Sequence, residues 1–283
     1  MAPLLPQDLL DLILDRLGAQ MDYESLCRCA LAHRSMRERS QQLLFAELRV
    51  TVPEFVPADQ NRRARTLPER LLATLEKTPR LSQYIRILLV VSERPGWDGL
   101  PVLLHGLSQE SALPRLLPGL PLLHTLKLVA LSDDRAPELG DALVDALLRT
   151  SVVELGLHNV HAPDRLLRTL PPRLRQLTLD EVIWGNTGIS EMPPDSCHDP
   201  LKLVLYGGEI PIEFTLIPFA RTNTRCIVDL DLTYVEHLNA HAWRMLAIEP
   251  LWKLQCITFG CYPNLGMSSF RGKHLIPMPA SCA

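Results

Sequence analysis

With 283 residues, 47% of them hydrophobic and 22% charged, the chain can bury a sizeable core in one or two domains. Its net charge of -3 gives no general attraction for nucleic acid, and no apolar run approaches the ~18 residues of a membrane span. Seven cysteines without framework spacing, no N-x-S/T sequon, and an N-terminal stretch broken by Asp8, Asp11 and Asp15 argue against a signal peptide and a secreted framework. A reducing cytoplasmic or nuclear compartment is expected.

The first element, LPQDLLDLILDRL from Leu5 to Leu17, predicts an amphipathic helix. At ~100° per residue, Leu9, Leu10, Ile13, Leu14 and Leu17 share one arc, while Gln7, Asp8, Asp11 and Asp15 lie opposite. Leu12 is the one apolar side chain on the acidic side. Pro6 suits the first helical position, where its missing N–H costs nothing, and Asp8 favours the positive end of the helix dipole. A break is expected at Gly18, then a second helical pattern, ESLCRCALAHRSMRERSQQLLF, with Leu26, Cys29, Ala30 and His33 along one face.

The order L-P-x-D-L-L-x-x-I-L-x-x-L, then L-x-x-C-x-L-A-H-R-S-M, then Leu44-Phe45 leading into a strand, resembles the F-box. That family's three-helix module docks the Skp-type adaptor of cullin–RING ubiquitin ligases. The resemblance covers about forty residues and implies an adaptor contact built from Leu5, Pro6, Leu9, Leu10, Ile13, Leu14 and Leu17. Where many members carry a Cys and a Trp, this chain has His33 and Met36; Met can fill the volume of an aromatic side chain.

After Phe45, AELRVTV reads as a strand and VPEFVPADQNRRART as a polar loop, whose Arg62, Arg63 and Arg65 are expected to be solvated. Pro68 to Lys77 predicts a helix with Leu71, Leu72 and Leu75 inward, ending before Pro79. An L-x-x-L-x-L pattern then recurs, centred on Leu126, Leu155, Leu177, Leu203, Leu230 and Ile257, with an earlier copy at Ser82-x-x-Ile85-x-Ile87. The intervals between the six later centres, 29, 22, 26, 27 and 27 residues, fit leucine-rich repeats. In an extended segment, leucines at i and i+2 point to one side, and one strand cannot bury them alone. Parallel strands stacked with helices behind them share a continuous core. Glu138–Thr150, Asp164–Leu170 and Leu238–Ala247 supply helical patterns between copies.

The expected architecture is therefore α/β: an F-box-like helical module over 1–46, a degenerate leucine-rich-repeat solenoid over 47–262 with parallel strands and helices on its convex side, and a poorly ordered tail over 263–283. Trp184–Pro200 reads as a long polar loop.

Motifs for chemistry are missing. No nucleophile elbow, phosphate loop or H-E-x-x-H occurs, and neither a catalytic residue nor a cofactor is assigned. Cys27, Cys29 and His33 lack a fourth ligand, and the His237/His241 pair, with Glu236 and Cys226 nearby, reads as a solvated helix face; no metal is expected. The combined resemblance implies a non-enzymatic substrate receptor of an SCF-type ligase, holding an unknown protein target near a charged conjugating enzyme. The alternative is a leucine-rich-repeat scaffold without ligase docking, which His33 and Met36 keep open. Target contacts are expected on the polar strand face: Thr125, Lys127 and Val129; Glu154, Gly156 and His158; Gln176, Thr178 and Asp180; Lys202, Val204 and Tyr206; Asp229, Asp231 and Thr233. Lys127, Tyr206 and the Asp229/Asp231 pair stand out there, with no nucleic acid or membrane as partner.

Overall fold

The computed structural model describes residues 5–53, 55–57, 66–93, 102–104, 112–130, 139–163, 165–166, 170–185, 200–207, 227–235 and 256–259. Three helices come first: α1 (Gln7–Ala19), α2 (Tyr23–Ala32) and α3 (Arg34–Ala46). Pro6 is the residue before α1, not its first helical residue, because its ψ of 144° is extended. Helix α1 also runs through Gly18. The reversal comes at Met21, which takes a left-handed φ of 56°. Gly18 instead gives room to α3, since a β-carbon there would sit 3.1 Å from Leu43 Cδ2.

The expected second helix is two helices. His33, at φ −147° and ψ 142°, is extended and separates α2 from α3. It is not on the inner face of α2; its Nδ1 caps α3 by accepting from the Ser35 N–H at 3.2 Å. Asp22 caps α2 in the same way, accepting from the Ser25 N–H at 3.0 Å.

Strands β1 (Glu47–Pro53), β3 (Ile87–Glu93), β5 (Thr125–Ala130), β6 (Glu154–His158), β8 (Gln176–Asp180), β10 (Leu201–Gly207), β11 (Ile227–Val235) and β12 (Cys256–Phe259) form one parallel sheet. Each strand pairs with the next of these in chain order, so no connection crosses over. Two short pairs stand outside it: β2 (Phe55–Pro57) with β4 (Val102–Leu104), antiparallel, and β7 (His161–Ala162) with β9 (Ile183–Trp184), parallel. The α/β class is thus borne out.

Register explains the leucines. Leu48, Leu88, Leu126, Leu155, Leu177, Leu203, Leu230 and Ile257 stand side by side across all eight strands. Two residues on, Val50, Val90, Leu128, Leu157, Leu179 and Leu205 form a second row. From Leu88 to Leu230 the first row is buried, and so is the whole of the second. Each such side chain is worth ~1.5–3 kcal/mol of transfer free energy. The copy expected at Ser82-x-x-Ile85-x-Ile87 is therefore Ile85-x-x-Leu88-x-Val90, three residues later, and a still earlier copy, Phe45-x-x-Leu48-x-Val50, precedes it.

Behind these rows lie helix α4 (Leu67–Lys77) and the helices Ala112–Leu116 and Asp141–Leu148, which contribute Leu75, Leu113, Leu116, Leu143, Val144 and Leu147 to the same core. Thr66 and Glu69 close a capping box on α4, each side chain meeting the other's backbone N–H. Two consecutive units share a corner: Asn159 (φ 50°) follows β6 and Glu181 (φ 51°) follows β8, each leading into a two-residue strand. Trp184 ends the second of these and is buried, so it does not open a polar loop. Residues 186–199 of that loop, 62–65, 238–247 and the 263–283 tail lie outside the described residues.

Candidate interaction surfaces

The N-terminal helices leave much of their apolar surface uncovered. On α1, Leu14 alone is fully buried, while Leu9, Leu12 and Ile13 remain 46%, 65% and 49% exposed. Leu5, just before the helix, is exposed too, as are Met21, Tyr23 and Leu31. Helix α2 contributes Leu26 and Ala30 to the small internal core, and the one fully buried residue of α3 is Ser40. The seven contacts that the resemblance implies thus divide. Leu5, Pro6, Leu9 and Ile13 face water, Leu10 and Leu17 are half-buried, and Leu14 is removed from any partner surface by its own packing. A three-helix unit needs at least one α1 side chain to close its core, and Leu14 fills that place.

The polar side of α1 is tied to α3. Arg39 reaches Asp15 at 2.6 Å, and Gln7 Nε2 donates to the Ser35 carbonyl at 3.2 Å. Gln7, Asp11, Asp15, Ser35, Glu38, Arg39 and Gln42 line an open groove of about 520 Å³ between the two helices. Gln7 and Asp15 are thus engaged with α3, while Leu9, Leu12 and Ile13 stay exposed on the rest of α1.

The second surface is the uncovered face of the sheet. Register sets it in three rows: Thr125, Glu154, Gln176, Lys202 and Asp229; then Lys127, Gly156, Thr178, Val204 and Asp231; then Val129, His158, Asp180 and Tyr206. Lys127 is exposed and most others are half-exposed, but Thr125, Gly156 and Val204 are buried beneath their neighbours. Thr125 Oγ1 donates to Glu154 Oε2 at 2.9 Å, and His158 Nδ1 lies 3.2 Å from Asp180 Oδ2. The His158 ring centroid is 6.2 Å from that of Tyr206. Lys202 Nζ lies 3.6 Å from Asp231 Oδ2. Asp229 and Asp231 therefore do not act as a matched acidic pair: Asp231 is engaged by lysine, and Asp229 is not.

The chain matches no protein-family model, no curated protein and no solved structure.

Among the described residues, no group of three or more His, Cys, Asp or Glu side chains is placed to hold a metal ion. No described helix is long and apolar enough to cross a membrane. Cys27 and Cys29 are free thiols, and the cap at His33 takes its ring away from them. The residues His237, His241, Glu236 and Cys226 lie outside the described part. What the sequence missed is the pairing on the sheet face. Only register shows that Lys202, directly opposite Asp229, reaches diagonally to Asp231.

Proposed function

We propose that this protein is a substrate receptor of an SCF-type cullin–RING ubiquitin ligase. The N-terminal helices form an F-box-like module that docks a Skp-type adaptor, and the rest is a leucine-rich-repeat solenoid whose exposed strand face captures a protein target. The observation that carries this is the uncovered apolar side of α1, where Leu5, Leu9 and Ile13 stay in water although Leu14 beside them is buried. Exposed apolar side chains grouped on one element mark interaction sites. The solenoid assignment is supported by strand order that follows chain order and by the row from Leu48 to Ile257, which stays in register through all eight strands. The chain does no bond chemistry itself; it raises the local concentration of a target beside a ubiquitin-charged enzyme. The cytoplasm or nucleus is the place for it, and the free thiols Cys27, Cys29 and Cys256 agree.

The test is titration calorimetry of the full chain against a purified Skp-type adaptor. Binding at micromolar concentrations is expected, with a negative heat-capacity change from apolar burial. No heat and no co-elution would overturn ligase docking and leave a leucine-rich-repeat scaffold.

A further inference from the structure

The exposed sheet face already satisfies most of its own charges. Glu154 has a donor in Thr125, Asp180 has one in His158, and Asp231 has Lys202. Along β5 to β11, two charged groups are left over among the described residues. Lys127 on β5 is exposed and has no ion-pair partner there. At the other end, on β11, Asp229 has a carboxylate oxygen shut off from water that accepts no hydrogen bond. Its lysine neighbour in register has gone to Asp231 instead. A desolvated carboxylate oxygen without a donor is unfavourable, and a cation brought against the half-exposed remainder of Asp229 offsets its charge.

The two ends have opposite sign, so they select for order as well as charge. Strands β6, β8 and β10 separate them. Four steps of about 4.8 Å make roughly 19 Å, and an extended chain advancing about 3.3 Å per residue covers that in about six residues. Between them, one strand away from β11, Tyr206 offers an aromatic surface next to the His158 ring. We infer that this face holds an extended target segment carrying one acidic and one basic side chain about six residues apart, the acid on Lys127 and the base on Asp229. This rests on reading the sheet face as the target-capturing surface.

The test uses the full chain and fluorescein-labelled peptides on a Ser/Thr/Val background, followed by anisotropy at low ionic strength. One peptide has Glu and Lys at the inferred spacing, one has them in reverse order, one has them adjacent, and two have either charge replaced by Gln. One of the two spaced peptides should bind about tenfold tighter than the adjacent or neutralised ones. Lys127→Glu and Asp229→Lys should each abolish that preference, and the double exchange should transfer it to the reversed order. Asp229→Asn, which keeps the shape, guards against misfolding and should also lose the preference. Equal binding of all peptides, binding of none, or an unchanged order in the double exchange would overturn the inference. Adaptor binding measured on the same variants separates the two ideas. An adaptor that fails to bind while the peptide preference holds sinks the ligase reading alone.

Discussion

Leu14→Ala and the double change Leu9→Ala/Ile13→Ala should fail in opposite ways. Leu14 has no exposed surface, so its truncation leaves a cavity and should cost ~2–5 kcal/mol. That is a large share of the stability any small helical unit commands. Leu9 and Ile13 are 46% and 49% exposed, so about half of each side chain's ~1.5–3 kcal/mol is still to be gained on docking. Together they should contribute ~1.5–3 kcal/mol to adaptor binding, or about ten- to a hundredfold in Kd. Urea unfolding followed by far-UV circular dichroism reads the first effect, and calorimetry with the adaptor reads the second. A folded Leu9/Ile13 variant that binds as the wild type does, beside a folded Leu14 variant that does not bind, would refute this division of α1.

Other outcomes follow from single groups. Ser40 is fully buried in α3 and its Oγ has no hydrogen-bond partner among the described residues, so Ser40→Ala should stabilise by about 1 kcal/mol in urea unfolding. The Asp22 carboxyl is held below the usual carboxylate range by the Ser25 side-chain and backbone hydrogen bonds. Its contribution to α2 is therefore present above the ordinary carboxylate pKa and lost as pH falls through its depressed value. Asp22→Ala should flatten that acid-side loss of helicity in a circular dichroism titration. Glu181 takes a left-handed backbone where the preceding unit uses Asn159; Glu181→Asn should raise the unfolding free energy measured in urea by up to about 1 kcal/mol.

Much of the sheet was legible because leucines at i and i+2 signal burial on one face, and Leu126 to Leu230 fall where that spacing puts them. The first copies were harder. In β3 the residues from Ile87 to Val91 are all apolar on both faces, so alternation disappears and the frame slips by three. In β1 the pattern starts with Phe45 and ends in Val50, leaving one leucine to carry it. On the N-terminal side, helix existence and the apolar arc were readable, but the choice of Leu14 as the buried residue depends on α3 packing close over Gly18. The division at His33 was hidden because ALAHRSM has uninterrupted helical periodicity; the imidazole cap that stops α2 is a local hydrogen bond, not a pattern. On the strand face, composition named the charged residues but could not pair them across strands.

Helix α3 ends at Ala46 and β1 begins at Glu47, so no residue separates module from sheet. The junction is also fastened sideways: the Ala46 carbonyl accepts from the Arg86 N–H at 2.9 Å, and Phe45 packs on the sheet core. A hinge has nowhere to form there. Under the ligase reading, whatever grips α1 fixes the bearing of the strand face, as a bracket fixes a shelf. Reach then becomes a matter of angle, and only lysines on the side of the cargo turned toward the conjugating enzyme come within range. A few Gly-Ser residues inserted between Ala46 and Glu47 would turn that bracket into a leash, and the set of modified lysines should broaden while affinity for the cargo stays the same.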